Sequence, residues 1–96
     1  MSERITAAQV DAMVKALNQR LGRAEEPWTR DTSGKYRANV GTFYVDGAYG
    51  GVRLVMVVSE GGGIRTIGSD GFGTKRELYY QVRAALDVLR ESQAER

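Results

Sequence analysis

The run Gly68-Ser69-Asp70-Gly71-Phe72-Gly73, followed by Thr74-Lys75-Arg76, is the stretch of this sequence most suited to chemistry. Glycines lead into a helix start, where free N–H groups and the positive end of the helix dipole favour an anion. Lys75 and Arg76 sit where cations oppose that dipole, a conflict that a docked phosphate relieves. Gly71, Gly73, Thr74, Lys75 and Arg76 are therefore a candidate site for phosphate or nucleic acid. The competing reading is a pair of exposed cations, which costs roughly a few tenths of a kcal/mol. The spacing is not that of a nucleotide-hydrolysing loop, because Thr74 precedes Lys75 where the lysine has to come first. Nor is it a dinucleotide fingerprint: Gly71 to Arg76 ends in arginine.

Other chemistry is harder to find. The chain has no cysteine and no histidine. Disulfides, thiolate metal sites and the commonest general base are thereby excluded. Asp46, Glu60 and Asp70 each stand beside a turn, where acids serve local hydrogen bonding. Their spacing is not that of a calcium loop. The expectation is a protein with no catalytic residues, no cofactor and no metal.

Two helices and a short meander must position whatever binds. Thr6 and Gln9 form a capping-box pattern, with Ile5 and Val10 placed as a hydrophobic staple. Val10, Met13, Val14, Leu17 and Leu21 then repeat at helical spacing, and Gly22 follows as a left-handed cap. A helix is predicted over about Ala7 to Leu21. The second starts at the Thr74–Glu77 box and carries Leu78, Val82, Ala85, Leu86 and Leu89 on one face, with fraying expected from Ser92.

Between them, Trp28 to Arg30 reads as a short strand, closed onto the next strand by the turn Asp31-Thr32-Ser33-Gly34. Lys35 to Asp46 reads as a strand whose face changes phase at Gly41. A bulge there puts Tyr36, Ala38, Val40, Phe43 and Val45 on one side. Gly47 to Gly51 reads as a flexible connection, Val52 to Ser59 as a strand in which Val52, Leu54, Met56 and Val58 alternate, and Ile64 to Gly68 as an edge strand. Trp28 is expected as a lid over the core edge, and Tyr79 and Tyr80 as one ring on the sheet and one at its rim.

These parts predict an α+β two-layer sandwich: helix, short strand, three-stranded antiparallel meander, helix. Ninety-six residues make one domain, spanning 1–96. The start lacks the apolar run of a signal peptide, and the longest apolar run, Leu54 to Val58, is too short to span a bilayer. The expected home is the cytoplasm. With both helices on one face, the other carries Arg37, Asn39, Thr42, Tyr44, Arg53, Val55, Val57, Arg65 and Ile67. Arginine and tyrosine around exposed valines suit an interface. Arg37, Tyr44, Arg53, Val55, Val57 and Arg65 are thus the candidate contacts for a protein partner or for a homodimer. The alternative is that the valines reflect strand propensity under arginine stems.

Helix, three strands and a basic helix start, with Gly71 to Lys75 and Ala84-Ala85-Leu86, resemble a double-stranded RNA-binding domain over about half the chain. The lysine cluster of that family is reduced here to Lys75 and Arg76, and its histidine-bearing loop has no counterpart. Arg37-Ala38-Asn39-Val40-Gly41, Gly47-Ala48-Tyr49-Gly50-Gly51 and Thr74-Lys75-Arg76-Glu77-Leu78-Tyr79 are similar to small uncharacterised proteins of actinobacterial phages. That resemblance implies an accessory role inside an infected cell, with no reaction or ligand to carry over.

Overall fold

A computed structural model describes residues 4–68 and 71–94. The elements are α1 (Ala7–Arg20), β1 (Trp28–Arg30), β2 (Tyr36–Ala38), β3 (Phe43–Ala48), β4 (Gly51–Val57), β5 (Ile64–Ile67) and α2 (Lys75–Ala94). α1 begins where its capping box requires. Thr6 Oγ1 accepts from the Gln9 N–H at 3.2 Å, and Gln9 Oε1 accepts from the Thr6 N–H at 2.7 Å. Just past its end Gly22 takes φ +69°, a left-handed turn that a side chain resists. α2 runs to Ala94, beyond the point at which fraying was expected, and the last two residues lie outside the described ones.

β3, β4 and β5 form an antiparallel meander with β4 in the middle. Val10, Val14 and Leu17 of α1, Leu54 of β4, and Leu78 and Val82 of α2 make one buried cluster. Ile5, Phe43, Val45, Val52 and Ile67 pack around it. Both helices therefore cover the same face of the sheet, giving the two-layer α+β arrangement that the apolar periodicities predict. Each of these large side chains contributes roughly 1.5–3 kcal/mol when fully buried, so this face dominates the fold energy.

The segment 35–46 differs from the expectation. Gly41 donates its N–H to Val57 O at 2.8 Å while Val57 donates to Thr42 O at 2.9 Å. Two residues oppose one, with Gly41 at φ +95°, which is a glycine bulge at the expected place. Beyond it the chain leaves the sheet. Asn39 donates from its N–H to Pro27 O (2.8 Å) and from Nδ2 to Glu26 O (2.8 Å) and Thr29 Oγ1 (2.7 Å). These bonds turn the chain into a separate hairpin, β1 with β2, in the register Trp28↔Ala38 to Arg30↔Tyr36. Ala38 is buried outside the helix-side cluster, whereas Tyr36 and Val40, expected inside, are exposed. In the hairpin turn the Ser33 hydroxyl and the Lys35 N–H hold the pKa of the Asp31 carboxyl below its ordinary value.

The glycine run 47–51 is no flexible connection. Ala48 pairs with Gly51, and Tyr49 and Gly50 take φ +54° and +74° in a two-residue hairpin turn. Glycine or asparagine is the usual occupant of the first position, so a tyrosine there is strained. Its side chain is 96% exposed.

Candidate functional site

The sheet register decides which side chains share a face. Leu54 pairs with Ile67 and Met56 with Arg65, so Ile67 and Arg65 project to the helix side and not to the far face. The far face carries Tyr44, Asp46, Arg53, Val55, Val57, Ile64 and Thr66. It is not open. Val55 is 0% and Val57 2% exposed, so neither can meet a partner directly. Val57 is tied to the Gly41–Thr42 bulge through its own backbone, and Thr42 is buried with its hydroxyl on Ala24 O at 2.9 Å. The Trp28 ring sits over the β4–β5 turn, where a Cβ on Gly62 would lie 2.6 Å from it. Trp28 and the Gly41–Thr42 connection thus occupy part of the surface predicted to be free, at the Val57 end.

The remaining candidates do not form one patch. Arg37 is exposed on β2 in the other sheet, Tyr44 is half-buried opposite Val55, and Arg65 is exposed on the outer strand. Arg53 belongs to the fold. Its Nε and Nη2 lie 2.9 and 2.8 Å from Asp46 Oδ2, and its Nη1 donates to Thr66 Oγ1 at 3.0 Å. The guanidinium also stands 4.7 Å from the Phe72 ring centre, within cation–π range. Reversing its charge would test this network and not a contact surface.

Of the anion candidates, Gly73, Thr74, Lys75 and Arg76 line one concavity, whereas Gly71 lines a neighbouring one with Arg53 and Phe72. Gly73 exchanges two hydrogen bonds with Val52, at 2.8 and 2.9 Å, which pins the start of α2 to β4. Thr74 Oγ1 accepts from the Glu77 N–H at 3.1 Å and donates to Glu77 Oε1 at 3.0 Å. The N–H groups of Gly73 and Glu77 are thus committed within the protein. Side-chain charge lies close by. Lys75 and Arg76 border a concavity of about 770 Å³ whose walls include Gly50, Gly51 and Gly73. Arg4, from the segment before α1, borders it as well. No sequence signal joins Arg4 to Lys75, since only the folded chain makes them neighbours. Ser69 and Asp70 of the glycine loop lie outside the described residues.

A second feature went unread in the sequence. Between the end of α1, the middle of α2 and β5 runs an apolar groove of about 680 Å³. Leu54 and Ile67 lie along it, with Leu21 on one wall and Ala85, Val88 and Leu89 on the other. Val88 is 67% exposed. The signal was present: Ala84 and Val88 widen the apolar stripe of α2 beyond what two neighbours can cover.

Among the described residues no group of three potential metal ligands occurs, and no helix is long and apolar enough to cross a membrane. Arg4, and Asn18, which is buried on α1 and bonded to the Phe43 backbone, are positions that only the folded chain brings forward. The chain matches no family model, no curated protein and no solved structure.

Proposed function

We propose that the chain is a non-enzymatic interaction protein that docks a protein partner, or a second copy of itself, in the groove beside α2. The supporting observation is a lining that is apolar but for Gln81 and includes an exposed Val88. Exposed apolar surface of this kind carries a hydrophobic cost in water that a partner removes. The adjoining strand β5 adds to it, because β5 is the outer strand of its sheet. Ladder alternation turns the backbone groups of Ile64 and Thr66 away from β4, toward the side from which a partner would approach. The resemblance to small phage proteins supports an accessory role in an infected cell as the setting.

Val88→Glu tests this reading. The position is exposed, so the variant is expected to keep the wild-type melting temperature. Sedimentation over a wide concentration range, and capture from cell extract with wild-type and variant baits, would be compared. The expected result is self-association or capture by the wild type that the variant loses. Identical behaviour of the two proteins in both measurements rejects the groove as the docking site.

A further inference from the structure

We infer that β5 takes an extended, acidic segment of another protein as an added strand, with a carboxylate opposite Arg65 and an apolar side chain opposite Ile67. The inference rests on the docking groove proposed above and names what enters it. The two edges of the meander differ. At β3 the outward N–H and C=O of Phe43 are both taken by the Asn18 carboxamide. At β5 the bond from Val58 to Gly63 sets the phase of the ladder, so that Arg65 and Ile67 bond to β4. Ile64 and Thr66 then turn their backbone groups to the side where the sheet has no further strand.

Side chains decide what an added strand carries. Arg65 is exposed on the helix side and has no ion-pair partner among the described residues, whereas Arg53 on the far face is held by Asp46. Two residues on, Ile67 lies in the apolar groove with Ala84, Ala85 and Val88. The backbone groups of Arg65 and Ile67 are spent on β4, so these are the positions where opposite side chains of a further strand come closest. An antiparallel partner therefore places leucine or valine opposite Ile67, and glutamate or aspartate two residues later. Backbone pairing supplies the affinity, and these two side chains supply the selection. Charge also decides against a second copy on this edge. Opposite residues share a face, so pairing β5 with itself sets the two copies of Arg65 directly opposite or diagonal to each other, where like charges repel. A charged side chain on an outer strand guards against such self-pairing.

Amide chemical shifts of the full chain, titrated with the synthetic peptide Ser-Thr-Leu-Thr-Glu-Thr-Ser, test the inference. Shifts at Ile64 and Thr66 are expected at millimolar peptide, with about fivefold weaker binding when lysine replaces the glutamate. Arg65 is exposed, so Arg65→Glu should keep the wild-type melting temperature and yet reverse that preference. N-methylation of the threonine between leucine and glutamate removes the N–H that would pair with Thr66, and should abolish the shifts. Equal binding of the glutamate and lysine peptides, unaltered binding of the N-methylated one, or no shift at β5 would each overturn the inference. Shifts at Ile64 and Thr66 that grow with protein concentration alone would assign the edge to a second copy, and overturn it as well. The groove is judged separately: capture lost in Val88→Glu, with no peptide preference at Arg65, means that a partner docks without adding a strand.

Discussion

Replacing Asn18 by leucine is expected to destabilise the protein by about 3 kcal/mol, because the carboxamide stands in for a neighbouring strand. Asn18 is fully buried on α1. Its Oδ1 accepts from the Phe43 N–H and its Nδ2 donates to Phe43 O, both at 2.8 Å. Phe43 opposes Met56 at a position where its own backbone groups point away from β4, so no strand satisfies them. Leucine has similar bulk but neither donor nor acceptor. Both backbone groups would then lose their partner in a dry site, at roughly 1–3 kcal/mol each. For a domain of this length the melting temperature should fall by about 15 °C. Urea denaturation is the direct measurement. A loss below about 1 kcal/mol would show that water replaces the amide and that α1 is not locked to β3 in this way.

Gly51→Ala should cost about 2 kcal/mol and disturb the start of α2, although the backbone at Gly51 needs no glycine conformation. A methyl group there would stand 2.9 Å from Gly73 O and 3.0 Å from Phe72 Cβ. Neither atom is the free end of a flexible side chain, so the segment 72–73 must retreat. Retreat breaks the two hydrogen bonds between Val52 and Gly73 that fix where α2 begins. Gly61→Ala provides the comparison, since nothing lies within 4 Å of its added methyl. The expected result is a lowered denaturation midpoint for Gly51→Ala with amide chemical-shift changes at Gly73, and a near-neutral Gly61→Ala. Equal behaviour of the two variants would mean that the close approach at Gly51 is easily relieved.

Much of the frame could be read from local chemistry. The Thr6–Gln9 box, the Gly22 cap and the stripes through Val10, Val14, Leu78 and Val82 each act within a turn or two of chain. The bulge at Gly41 was also legible, from the phase change around it. Its consequence was not, because the three Asn39 hydrogen bonds that divert the chain reach back to Glu26, Pro27 and Thr29. Short strands hide their facing for a similar reason. β5 has four residues, and the glycines before it permit more than one register, so pairing with β4 alone turns Arg65 and Ile67 toward the helices. The candidate contacts suffered most. Val55 and Val57 look exposed by alternation, yet both are buried, and the Gly41–Thr42 connection that lies against the Val57 backbone comes from a distant part of the chain.

The partition into two sheets also gives the molecule unequal cooperative units. β1 and β2 have three residues each, and Ala38 is their only buried side chain. Such a hairpin opens at a free energy well below that of global unfolding. Its amides should therefore exchange with deuterium long before those of β4, and trypsin should cleave at Arg30 or Lys35 while the helix-covered sheet stays intact. The molecule would then persist as a nicked but folded body, its wear concentrated in a small flap that the main core does not need.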